Sequence, residues 1–168
     1  MSDSLFRLSD GIYIENKNIL IPWNSKVEKL EKTDSPKKSQ SEDRISLGWQ
    51  KDYTWLGGLQ SSFHTIFYFS SGAGKVNIIS EGLRMMEFYT KGGGTSPRTE
   101  YPKVKEYICD VLGKPTKEES PDYTHYKLPI VEWDLDDVFF VYMIFERFGE
   151  YCVGEVWHKP IPSWRLRN

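Results

Sequence analysis

The sequence predicts an α+β fold: a curved antiparallel β-sheet with one main α-helix and a three-stranded meander towards the C-terminus. Three observations carry this expectation. From Val138 to Phe145 every residue is apolar or aromatic, so that strand must be covered on both faces and sits centrally in its sheet. Asp134-Leu135-Asp136-Asp137 before it and Arg147-Phe148-Gly149-Glu150 after it are turn signals, which join it to strand-like stretches on either side. One stretch only, Pro102 to Leu112, keeps a clear helical period, through Val104, Tyr107, Ile108, Val111 and Leu112.

The elements follow in order. Gly11 to Trp23 reads as a hairpin, with Ile12-Tyr13-Ile14 and Ile19-Leu20-Ile21 around a polar turn, and Pro22 ending the second strand because it has no amide to donate. Ser25-Lys26-Val27-Glu28 has capping-box spacing and opens a short helix through Leu30, with Val27 and Leu30 inward. Lys32 to Arg44 holds no core-forming residue that could offset the entropy of ordering it, so residues 32–44 are expected to be a mobile loop. Ile45 to Trp49 is a short strand, and Trp55-Leu56-Gly57-Gly58-Leu59 a place where the backbone bends. Phe63 to Phe69 alternates Phe63, Thr65 and Phe67 against His64, Ile66 and Tyr68, with Lys75 to Ile79 as its expected antiparallel partner. Leu83 to Tyr89 reads as a strand. Lys91-Gly92-Gly93-Gly94-Thr95-Ser96-Pro97 is a flexible joint before the helix, which Gly113 and Pro115 end. Lys114 to Tyr123 is a polar connector, and the meander then runs from Tyr126 through His158. On its last strand Tyr151, Val153, Glu155 and Trp157 share one face. The tail through Trp164 is expected to lie across the domain.

Composition bounds the rest. A chain of 168 residues suits one domain, and 39% hydrophobic with 15% aromatic residues implies a core built from a few large side chains. The formal net charge of -2 weighs against affinity gained by neutralising phosphates. Cys109 and Cys152 are too few to staple the fold and are expected to be reduced. The N-terminus has no basic start followed by an apolar run, and no stretch approaches a membrane span, so a cytoplasmic protein without membrane contact is expected.

Catalytic and cofactor signatures are weak. Gly72-Ala73-Gly74-Lys75 resembles the end of a phosphate loop, but Phe69 stands where that loop needs glycine and Val76 where it needs Ser or Thr. Gly92-Gly93-Gly94 lacks dinucleotide spacing. His64, His125 and His158 are far apart, neither cysteine has a partner at ligand spacing, and the aspartates of the meander turn lack the remaining ligands of a calcium loop. No cofactor, metal or enzymatic activity is expected. A small hydrolase built on Glu146, Glu150 and Glu155 is one alternative. A second is a single-strand nucleic-acid binder, stacking bases on an aromatic sheet beside Lys75, Arg84, Lys91, Arg98, Lys103 and Lys105.

The third class is a protein-binding module. Glu118, Glu119 and Asp122 lead into the meander, and Asp134, Asp136 and Asp137 lie on its first turn beside Trp133 and Leu135. Acids around an exposed aromatic would steer and then anchor a basic partner such as a nuclease.

Ile19-Leu20-Ile21-Pro22-Trp23 after a short hairpin, Trp55-Leu56-Gly57-Gly58-Leu59, and Leu112-Gly113-Lys114-Pro115 closing the helix before a meander give the chain a resemblance. It resembles the small cytosolic immunity proteins of bacterial polymorphic or contact-dependent growth inhibition toxin systems. The resemblance implies a stoichiometric inhibitor without cofactor that binds a cognate toxin domain and blocks its active site or substrate surface. It carries over no binding residue, because such proteins meet different toxins with different surfaces.

Overall fold

The computed structural model describes residues 7–90 and 94–165. The expected joint at Lys91-Gly92-Gly93 and the reading of the first six residues lie outside the described residues. A hairpin of β1 (Gly11–Ile14) and β2 (Ile19–Pro22) turns through a short 3-10 segment at Glu15–Lys17, and α1 (Val27–Glu31) follows. Then come β3 (Lys37–Gln40), β4 (Arg44–Trp55), β5 (Leu59–Tyr68), β6 (Asn77–Ile78) and β7 (Met85–Thr90). The main helix, α2 (Pro97–Leu112), precedes β8 (Lys117–Glu119), β9 (Ile130–Asp134), β10 (Val138–Glu146) and β11 (Glu150–His158). All strands after the first hairpin form one open, mostly antiparallel sheet in the order β3-β4-β5-β7-β11-β10-β9-β8, with β6 alongside β5. The α+β class and the C-terminal meander are as expected.

Strand alternation gives the sheet two unlike faces. On the inner face Trp49, Tyr53, Trp55, Phe63, Phe67, Phe88, Phe140, Tyr142 and Trp133 are all buried. The first hairpin and both helices cover them, through Ile12, Ile14, Trp23, Val27, Leu30, Tyr101 and Ile108. The large rings interlock: Trp55 meets Phe88 edge-on at 4.9 Å between centroids, and Tyr101 stacks on Tyr142 at 5.4 Å. Their polar atoms are anchored as burial requires. Trp55 Nε1 donates to Ser61 Oγ at 2.9 Å, and Trp133 Nε1 to the Gly113 carbonyl at 2.9 Å.

Gly154 belongs to this packing. It is paired with Phe88 on one side and Tyr142 on the other, and Phe88 stacks nearly parallel on Tyr142 at 6.0 Å. A Cβ at Gly154 would lie 2.0 Å from Phe88 Cζ, so glycine makes room for a ring lying across the strand.

Several expectations are corrected. Residues 32–44 contain β3 instead of a loop: Trp49 Nε1 donates to the Thr33 carbonyl at 2.6 Å and Tyr53 Oη to Asp34 Oδ2 at 2.6 Å, while β4 supplies the ladder. Apolar content was a poor guide because an edge strand is held by backbone pairing and borrowed anchors. The partner of β5 after the Ser70–Gly74 turn is parallel, not antiparallel. Buried Asn77 explains this, donating to Thr65 Oγ1 and the Ile66 carbonyl and accepting from the Arg84 and Met85 amides. The capping box at Ser25 is absent. Ser25 Oγ donates to the Pro22 carbonyl instead, and α1 has no side-chain cap.

β4 is more than twice the length expected, with Lys51 turned out to solvent at a register irregularity between Trp49 and Tyr53. α2 begins at Pro97, capped by Ser96 Oγ accepting from the Thr99 amide, because Pro97 suits the first turn as well as Pro102 does. Val111, expected inward, is 42% exposed. The polar connector includes β8. The first meander strand starts at Ile130 and not at Tyr126, which sits exposed in a left-handed conformation.

Candidate functional site

Among the described residues no helix packs on the opposite face of the sheet. Its rows follow from register. One row crosses eight strands as Lys37, Gly48, His64, Glu87, Glu155, Val141, Glu132 and Lys117, and the next runs Ser62, Tyr89, Val153, Met143, Ile130 and Glu119. Tyr151 and Phe145 pair one step beyond. The chain therefore places carboxylates and aromatic rings together on a surface that strands alone hold in place.

The tail covers part of this face, as expected. Ile161 and Trp164 pack with Met85, Phe139, Val141 and Trp157, and Trp164 meets Trp157 edge-on at 5.7 Å. Arg165 completes the cover. Its Nη2 and Nε donate to Glu155 Oε1 at 2.8 and 3.0 Å, and its guanidinium lies over the rings of Phe139 and Trp157 at 5.9 and 6.0 Å. Beyond the tail, Phe145 and the hairpin-tip Phe148 are exposed.

Glu87 and Glu155 stand directly opposite each other on paired strands, with side chains 24% and 15% exposed. Like charges in that position destabilise a sheet, so each needs its own partner. Burial pushes the Glu155 carboxyl up, and Arg165 pulls it back only in part. Glu87 Oε2 accepts a 2.7 Å hydrogen bond from Tyr89 Oη, whose phenol is raised by burial first and the neighbouring carboxylate second. His64 Nδ1 is 3.4 Å from Glu87 Oε2 but outside hydrogen-bonding geometry, an unsatisfied buried nitrogen. Among the described residues, His64 is the one basic side chain within ion-pair distance of Glu87.

The residues read from the sequence as a binding group do not converge. Trp133, taken as an exposed anchor, is fully buried, because β9 turns it inward under α2. Leu135 packs half-buried against the same core. Asp134 pairs with Lys159, while Asp136 and Asp137 are exposed on the turn. Glu118 faces α2 and pairs with Lys105 there, whereas its neighbour Glu119 points to the open face. Asp122 bonds His125 Nδ1 at 2.7 Å in the loop before β9. The sequence reading missed Glu87, Tyr89 and Phe145 as a set with Tyr151 and Glu155. The available signal was a lone glutamate inside each of two apolar strands, Met85-Met86-Glu87-Phe88 and Val153-Gly154-Glu155-Val156.

Reactive groups elsewhere are held quiet. Cys152 Sγ donates to the Pro97 carbonyl at 3.4 Å, and burial pushes its thiol up to about 12. The Cys109 thiol is raised by burial too. His158 stacks on Trp23 at 5.5 Å, and burial lowers its pKa. Among the described residues no three His, Cys, Asp or Glu side chains come together as a metal site, and no helix is long and apolar enough to cross a membrane.

Comparison with protein-family models finds no match, and comparisons with curated proteins and with solved structures find none either.

Proposed function

We propose that the protein is an immunity-type protein of the cytosol that neutralises a cognate, basic toxin domain by stoichiometric binding through the open face of its sheet. The observation that supports this reading is the grouping of Glu87, Glu132 and Glu119 with Tyr89, Phe145 and Tyr151 on a face that none of the described helices covers. Aromatic rings give area at little entropic cost and carboxylates attract a basic partner, which is the combination a protein-binding surface needs. The same carboxylates oppose a nucleic-acid strand, whose phosphates they would repel. The role requires no chemistry of the protein's own.

Affinity capture with the tagged protein from its own cells is expected to return one stoichiometric, basic protein domain. Co-expression should abolish the toxicity of that domain. Glu119→Lys with Glu132→Lys should slow association about tenfold and flatten the loss of binding with salt. Asp136→Lys with Asp137→Lys should leave association near normal, and the reverse pattern would move the contact to the meander turn. Recovery of nuclease-sensitive nucleic acid instead of a protein would overturn the reading.

A further inference from the structure

Beyond the tail the open face narrows into a cavity of about 130 Å³. Its position in the register is regular. Glu87 and Glu155 close one end, Tyr89, Val153 and Met143 form the middle row, and Tyr151 and Phe145 close the other end. The rings are set at angles to one another: Tyr89 and Tyr151 are 6.0 Å apart and inclined by 36°, and Phe145 meets Tyr151 edge-on at 5.8 Å. Inclined rings beside a carboxylate offer a cation several negative ring faces and one full counter-charge.

The protein shows what this chemistry takes. Directly across from Glu87, Arg165 is seated on Glu155 with its guanidinium above Phe139 and Trp157 of the next row. Glu87 has the same surroundings in kind, with Tyr89, Tyr151 and Phe145 in place of Phe139 and Trp157, and the Tyr89 hydroxyl holding its carboxylate in position. Arg165 bonds Glu155 alone, and among the described residues no lysine or arginine lies within ion-pair distance of Glu87, whose side chain lines the cavity.

We propose that Glu87, Tyr89, Phe145 and Tyr151 form a seat for an arginine side chain presented by the basic partner. The inference rests on the proposed function and names the group that the open face recognises. Arginine fits better than lysine because its planar guanidinium stacks on rings and bonds a carboxylate with two parallel donors.

The test uses arginine amide as the probe and citrulline amide as its isostere with an uncharged side chain, titrated into the full-length protein labelled at Tyr, Phe, Trp and Glu side chains and followed by NMR. Saturable millimolar shifts at Tyr89, Tyr151 and Glu87 are expected with arginine amide alone. Glu87→Gln and Tyr151→Leu should each weaken binding about tenfold, and Glu119→Gln should not, as expected for a caged cation. Shifts confined to Phe139 and Trp157 would mean that the probe only replaces Arg165, and would overturn the seat. Equal shifts with citrulline amide would overturn it as well. If the probe binds as expected but capture returns no protein partner, the seat stands and the immunity reading fails. If a toxin is captured and Glu87→Gln, Tyr151→Leu and the wild type bind it equally, the reading stands and the seat fails.

Discussion

Glu100 shows how a single residue can be well placed for folding and still carry a cost. It lies on the first turn of α2, where a carboxylate suits the helix end, yet it is buried and its Oε1 has no hydrogen-bond partner. Burial raises its pKa above the ordinary 4.5, and the neighbouring Cys152 and Thr90 side chains offset the rise only in part. The sign follows directly. A raised carboxyl favours the folded state fully below about 4.5, and that contribution is lost as the pH rises through the higher folded value. Glu100→Gln should therefore match the wild type in denaturant midpoint near pH 4 and exceed it progressively towards pH 8; identical curves would show that the carboxyl is solvated. Burial of this residue was not legible in the sequence, because the period of α2 was read only from Val104 onward. By contrast, the pairing of Tyr151 with Glu155 on one face was legible, since alternation along a strand leaves little choice.

At the scale of elements, the central strands were easiest to read and the edges hardest. β10 has apolar residues on both faces, and that pattern has one physical meaning. β3 and β8 have none, and the ladder alone makes them strands. Position in three dimensions, which no local pattern encodes, separates an edge strand from a loop of the same composition. The β7–β11 pairing depends on the glycine under Phe88. Gly154→Ala should destabilise the protein by about 1–3 kcal/mol, the range for overpacking a filled core. Chemical denaturation measures this directly, and Phe88→Leu in the same background should restore part of the loss by clearing the contact. An Ala variant as stable as the wild type would mean that the ring moves freely, against its stacking with Tyr142. The candidate site was hidden for a similar reason: its residues come from β7 and from the β10–β11 hairpin much later in the chain, and only register brings them into adjacent rows.

Across the whole molecule, the sheet is open, so it has two borders with unpaired backbone groups. Both are short and polar. Lys37, Lys38, Ser39 and Gln40 are exposed along one, and Lys117, Glu118 and Glu119 along the other. A flat apolar border on a sheet this wide would invite a second sheet to continue it, whereas lysines there set the two copies against each other. Lys37→Val with Ser39→Val should turn a monodisperse sample into one that forms growing assemblies in light scattering, with unchanged folding by circular dichroism; a sample that stays monodisperse would show that the lysine is dispensable. The same few residues that offered nothing to a hydrophobic core thus determine how concentrated the protein can become before its copies add strand to strand into fibres.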